Sequence, residues 1–107
     1  METTFRAIAD PSRRTILDLL AEGERSVTEL LGHFDFSQPA LSKHLKVLLE
    51  AGLVGVRQES RRRLYGLQAQ GLRSVAEWVS HYEKFWNEKL DALGSVLDAE
   101  AAGEEAQ

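Results

Sequence analysis

Residues 37–54, SQPALSKHLKVLLEAGLV, constrain this chain more tightly than any other stretch. Leu41, Leu45 and Leu48 recur at helical spacing, with Leu49 beside them, and predict a helix with one apolar face. Gln38, Ser42, Lys43 and Lys46 fall on the other side, with His44 on the flank. That outer face carries hydrogen-bond donors and positive charge and meets no carboxylate until Glu50. An ordinary amphipathic surface helix has the same periodicity, so the flanking segments decide what this one is for.

Upstream, Thr3 or Thr4 is placed to cap a short first helix carrying Phe5, Ile8 and Ala9. Asp10-Pro11 restarts the chain as a second helix, an N-cap acceptor followed by proline at the first helical position. That helix runs to about Glu22 with Ile16, Leu17 and Leu20 inward, and Gly23 ends it. Ser26-Val27-Thr28-Glu29 fits a capping box and opens a short third helix with Leu30, Leu31 and Phe34. Ser37 caps the fourth helix, Pro39 falls harmlessly in its first turn, and Gly52 closes it. Leu53–Glu59 and Arg63–Leu67 then predict a two-stranded hairpin with Ser60-Arg61-Arg62 at its tip. From about Gln70 to residue 98 a long helix is expected. Its apolar stripe, Leu72, Val75, Val79, Tyr82, Trp86, Leu90, Leu93 and Leu97, is widened by Trp78 and Phe85.

A chain of 107 residues suits one compact domain, here residues 1–98 with a frayed tail at 99–107. Hydrophobic content of 43% and charged content of 28% are those of a soluble globular protein. No apolar run approaches the roughly 20 residues that span a bilayer, and METTFRAIAD lacks the pattern of a secretory signal. Without cysteine there is no disulfide and no thiolate metal ligand, and a cytoplasmic location is expected. The net charge of −4 is unevenly spread. Residues 36–67 hold six basic side chains against two acidic ones, whereas residues 68–107 hold three basic against eight acidic. One surface is suited to an anion and the other is not.

Helix, helix, short helix, tight turn, helix, hairpin, long helix is the order of a winged helix-turn-helix, mainly α with a small β-hairpin (α+β). In such a unit the helix at 26–34 crosses the backbone of a DNA duplex. The helix at 37–51 enters the major groove, where base edges present donors and acceptors. DPSRRTILDLL, SVTELL, SQPALSKHLKVLLEAGLV and RRRLYGL together resemble the ArsR/SmtB family of bacterial transcriptional repressors over roughly residues 3–90.

That resemblance implies DNA contact by Ser37, Gln38, Ser42, Lys43 and His44 on the recognition helix, and charge and placement add Lys46 there and Arg61, Arg62 and Arg63 on the wing. Chemically, Gln38 can pair with an adenine edge, the lysines suit phosphate, and arginine is drawn to narrow minor grooves. Capping and helix initiation explain Ser37 and Pro39 without DNA, and a structural histidine is the alternative for His44. Arg61 and Arg62 are the favoured wing contacts, while strand alternation puts Arg62 and Arg63 on opposite faces.

The resemblance also implies a twofold dimer built from the first and last helices. Phe5, Trp78, Val79, Tyr82, Phe85, Trp86, Leu90 and Leu93 are expected at its interface. Metal-sensing members carry cysteines where this chain has Ser26 and Thr28, or His and acidic pairs on the last helix, where it offers only Glu77, His81, Glu83 and Glu88. Glu77 and His81 share a face but make at most half a site, so no metal and no cofactor is expected. Derepression is then left to an unidentified effector or partner protein. The competing function is a winged-helix module for protein contacts only, against which the basic hairpin and the carboxylate-free helix face both argue. No nucleophile elbow, phosphate loop or paired carboxylates point to an enzyme.

Overall fold

The computed structural model describes residues 2–89. The chain begins with α1 (Glu2–Ala9) and α2 (Pro11–Glu22). Thr3 and Thr4 lie inside α1 rather than at its cap, and its inward face is Thr4 and Ala7, with Ala9 exposed. The face is turned relative to the expected Phe5–Ile8–Ala9. Phe5 and Ile8 are half-buried.

Asp10 caps α2 as expected, its carboxylate accepting from the backbone N–H of Ser12 at 2.8 Å and of Arg13 at 3.2 Å. The two arginines that follow finish α1. The Arg13 guanidinium donates to the carbonyls of Arg6 and Ala7 at 2.9 and 2.7 Å. Arg14 donates to those of Ile8 and Ala9 at 2.7 and 3.1 Å. All four orphan carbonyls at the end of α1 are thereby satisfied by side chains of the next helix.

Ser26 opens α3 (Val27–Leu31) with a complete capping box, and Ser37 opens α4 (Gln38–Glu50) by accepting from the Ala40 N–H at 3.4 Å. The third helix is shorter than expected, with residues 32–34 in turns beyond it. Helix α4 ends in a Schellman motif. The N–H of Leu53 reaches the Leu48 carbonyl and that of Gly52 reaches Leu49, both at 3.0 Å, with Gly52 at φ 72°. Leu48 and Leu53 are both fully buried, so the turn that swings the chain into the sheet is also anchored in the core.

The sheet has three strands where the sequence predicts two. β1 (Arg25–Ser26), β2 (Val54–Glu59) and β3 (Arg62–Leu67) pair antiparallel in the order β1-β3-β2. Two residues, opposite Tyr65 and Leu64, are too few for any alternation to reveal β1. The hairpin tip is also tighter than expected. Glu59 pairs with Arg62, leaving Ser60-Arg61 as the loop, with Ser60 at φ 55°. Arg62 therefore belongs to the strand and not to the tip.

Ile16, Leu20, Leu30, Leu41, Leu45, Leu48 and Leu53 form the core, joined by Val54 and Tyr65 from the hairpin. Among the described residues no buried side-chain nitrogen or oxygen lacks a partner.

After a 3-10 turn at Ala69–Leu72 comes α5 (Arg73–Ser80). The expected continuous helix is interrupted by a turn at residues 81–82 and resumes over 83–89. The local cause is the Glu77 carbonyl, which accepts from the Ser80 hydroxyl at 2.6 Å and lies 2.9 Å from His81 Nδ1. The His81 and Tyr82 N–H groups fall back to i−3 carbonyls, those of Trp78 and Val79. Leu90, Leu93, Leu97 and the 99–107 tail lie outside the described residues. Packing divides the described residues into two units, which part between Val75 and Ala76.

Candidate nucleic-acid interface

Three buried leucines fix the rotation of α4 and so decide what it shows to solvent. With Leu41, Leu45 and Leu48 inward, Gln38, Ser42, Lys43 and Lys46 are exposed, as is Ser37 ahead of them. Lys43 and Lys46 make no hydrogen bond or ion pair among the described residues, nor do the side chains of Gln38 and Ser42. The face is thus presented with donors and charge uncommitted over its first three turns.

His44 is placed differently. It is half-buried, its ring lies 5.3 Å from that of Phe36, and its Nδ1 is 3.4 Å from Arg13 Nη1. Phe36 in turn stacks on Phe34 at 4.6 Å. Arg13 thus touches the end of α1, the cap of α2 and the flank of α4 at once. The sequence reading missed this hub, although two arginines straight after Asp10-Pro11-Ser12 were its visible signal. Partial desolvation pushes the Asp10 carboxyl up, but the backbone N–H groups of Arg13 and Ser12, the Arg13 guanidinium and His44 together hold it below the usual carboxylate range.

On the hairpin, counting charge along the sequence overstates what is available. Arg57 is clamped on Glu24 at 2.9 Å and also reaches Glu59 at 3.2 Å. The Arg57 hydrogen bond and charge pull the Glu24 carboxyl down, and Glu24 in return raises Arg57. Arg62 lies 3.3 Å from Glu29, whose carboxyl is lowered first by hydrogen bonds from Ser26 and further by the charge of Arg62. Of the six basic residues between positions 36 and 67, this leaves Lys43, Lys46, Arg61 and Arg63 without a carboxylate partner among the described residues. Arg61 is at the exposed tip, and Arg63 stands opposite Gln58 in the strand register.

In the second unit, Trp78, Val79, Tyr82, Phe85 and Trp86 line a wholly apolar hollow of about 240 Å3. Phe85 is 59% exposed and Trp86 54%, values unusual for rings of this size on one short segment. Trp78 and Tyr82 meet edge to face at 5.6 Å, and the Lys89 ammonium lies 5.3 Å from the Phe85 ring centre. In the Glu77 and His81 pair, His81 Nδ1 lies 2.9 Å from the Glu77 backbone carbonyl. Among the described residues no group of three potential metal ligands is found, and no helix is long and apolar enough to cross a membrane.

Residues 10–56 match the family described as bacterial regulatory protein, arsR family. The chain is 48% identical over 58 residues to an arsenical resistance operon repressor of Staphylococcus xylosus, covering 54% of this chain and 56% of that protein. It is 36% identical over 99 residues to an HTH-type transcriptional regulator of Mycobacterium tuberculosis, covering 92% of this chain and 90% of the relative. Among solved structures it is similar to the homodimeric winged helix-turn-helix DNA-binding domain of a possible ArsR-family regulator from Mycobacterium bovis. That match has a TM-score of 0.62 and 29% identity, and covers 77% of this chain and 79% of the other. The chain spans a little over half the length of the arsenical-resistance repressors it matches.

Proposed function

The chain belongs to the ArsR family of bacterial regulatory proteins, and from that premise we propose that it is a homodimeric, sequence-specific DNA-binding repressor. In this reading α4 enters the major groove of a palindromic operator and the β2–β3 hairpin serves as the wing. The two helices of the pair meet half-sites about one turn, roughly 34 Å, apart. A repressor of this kind acts where the chromosome is, in the cytoplasm, and no catalytic role is assigned to it.

The observation that carries the reading is the outer face of α4. Gln38, Ser42, Lys43 and Lys46 are exposed and uncommitted, with no acidic side chain until Glu50. A face kept for a protein partner has little reason to exclude carboxylates this way. Gln38 is suited to a base edge, Ser37 and Ser42 to bases or phosphates, and Lys43, Lys46 and Arg61 to phosphates. His44 takes a positioning role, holding α4 against Arg13 and Phe36. Homodimerisation is assigned to the apolar segment around Trp78, Tyr82, Phe85 and Trp86, with Phe5, Leu90 and Leu93 as further candidates. The homodimeric mycobacterial neighbour supports the dimer itself. The positions where arsenic-sensing relatives carry cysteine are Ser26 and Thr28 here, neither a soft ligand, so release from the operator is assigned to a signal other than a thiolate-bound metal.

Binding to random genomic fragments, followed over a range of salt, tests the proposal. Three phosphate-contacting cations per protomer give about six per dimer, and a log–log salt slope near −5. A purified protein that ignores every duplex in dilute buffer, or binds with no salt dependence, would instead favour a winged-helix module used for protein contacts.

A further inference from the structure

The contact between Arg13 and the flank of α4 exists in only one protonation state. Arg13 Nη1 lies 3.4 Å from His44 Nδ1. A guanidinium donates, never accepts, and stays charged, so Nδ1 must be the bare nitrogen of a neutral imidazole whose proton sits on Nε2. A proton added at Nδ1 would set donor against donor and cation against cation. Arg13 has no room to retreat. Its Nε donates to the Ala7 carbonyl at 2.7 Å and its Nη2 to that of Arg6 at 2.9 Å, and its side chain is only 16% exposed.

The groups around the half-buried ring fix the sign. From α2 it meets Arg13 directly and feels the Asp10 carboxylate. Asp10 favours an imidazolium, but it is already shared: Oδ1 accepts from the Ser12 and Arg13 N–H groups, and Oδ2 lies 3.9 Å from the same Nη1. The connection at residues 34–36 contributes the Phe36 ring, and α1 contributes the carbonyls that pin Arg13. Arg6 on α1, Asp35 in that connection and Lys43 on α4 are exposed, so solvent weakens their hold on the ring. The direct contact is with a cation, and it is the one a proton breaks.

We propose that the Arg13–His44 contact is a proton-sensitive latch on α4: closed on a neutral ring it seats the helix for the operator, and protonation of His44 opens it and lowers operator affinity. Because Arg13 is tied to α1, the displacement falls on α4, where Ser42 and Lys43 adjoin His44. Histidine is the side chain that changes charge between about pH 5 and 8, so the input is mild acid. The effect on DNA rests on the repressor reading, whereas the latch itself does not.

Operator binding at about pH 7.5 and about pH 5.5, at constant ionic strength, tests it. Affinity is expected to fall by about fivefold or more on acidification, the low end of coupling between linked sites. Two variants report through the ratio between the two pH values, whatever their affinity at neutral pH. His44→Asn offers a carboxamide oxygen in place of Nδ1 and takes up no proton, and Arg13→Met removes the cation. Both should flatten the ratio, whereas His33→Gln and His81→Gln should keep it. A second measurement needs no DNA. Nitrogen-15 NMR should show neutral His44 protonated on Nε2, and acid should shift the amide signals of residues 38–46 in the wild type but not in His44→Asn. A neutral ring with its proton on Nδ1 would overturn the latch. So would an affinity level across the two pH values, or a fall that His44→Asn retains. An affinity that rises through His44 in acid would also overturn it, marking an imidazolium that meets phosphate instead. If no duplex binds at either pH, the repressor reading fails, and the imidazole and amide spectra decide the latch alone.

Discussion

Gln38 is the first residue of α4 and the only exposed amide on its outer face. A carboxamide donates and accepts at once, so it can pair with an adenine edge, whereas the lysines behind it are point charges without that selectivity. Gln38→Ala is expected to weaken operator binding by about 1–3 kcal/mol and to relax base preference at one position per half-site. Competition against operators substituted at single base pairs measures this, and equal loss on every sequence would make Gln38 a positioning residue. Asp10 governs a different property. Its folded pKa is held below the ordinary value of about 3.9, so the stability its ionised form contributes is whole above about pH 4 and fades as pH falls through the folded value. Thermal melts across the acid range should show a gentler loss in Asp10→Asn, which keeps a cap, whereas Asp10→Ala should cost about 1 kcal/mol at neutral pH. Glycines divide similarly. A side chain on Gly71 would overlap the Gly52 backbone carbonyl, while on Gly55 it would meet only the movable Gln68 carboxamide. Gly71→Ala should therefore lower the melting temperature well below that of Gly55→Ala.

Elements were legible in the sequence wherever a cap and a run of leucines coincided. Asp10-Pro11, the Ser26–Glu29 box, and Ser37 with Leu41, Leu45 and Leu48 each gave the start and inward face of a helix that the structure has. What escaped notice depends on partners distant in sequence. β1 exists only because Arg25 and Ser26 lie against Tyr65 and Leu64, and the wing loses charge to Glu24 and Glu29, 33 residues away in each pairing. The same holds for the joint between α1 and α2, which no periodicity describes. Arg13 is mostly buried, its side chain 16% exposed, and it carries the carbonyls of Arg6 and Ala7. Arg13→Met keeps the stem and removes those bonds. It should cost about 2 kcal/mol, the scale of hydrogen bonds to a charged group, and should loosen the seat of His44 as well. Calorimetry reads the first effect. Weaker operator binding in Arg13→Met at a temperature where the protein remains folded reads the second, and an unchanged affinity would confine Arg13 to stability.

At the scale of the whole molecule, the chain's charge separates a stretch suited to an anionic partner from one that is not. The basic excess lies between residues 36 and 67, while the segment carrying the exposed aromatic rings is acidic overall. An acidic surface near a duplex is repelled, so the apolar hollow of Trp78, Tyr82, Phe85 and Trp86 is better suited to a second copy of the chain than to nucleic acid. Two linked recognition helices gain from each other, because once one half-site is engaged the other is held at high effective concentration, an advantage of about 10²–10⁴ in affinity. Phe85 and Trp86 are the most exposed of the rings, so charge placed there disturbs the surface without opening the core of Ile16, Leu41 and Leu45, which lies in the other compact unit. The double variant Phe85→Glu, Trp86→Glu is expected to sediment as a monomer with its cooperative melt retained. It should lose operator affinity by a factor within that range while still binding an isolated half-site at low salt. A variant that remained dimeric would move the interface elsewhere in the chain. One that became monomeric yet kept full operator affinity would remove the twofold arrangement from the account of how this protein holds DNA.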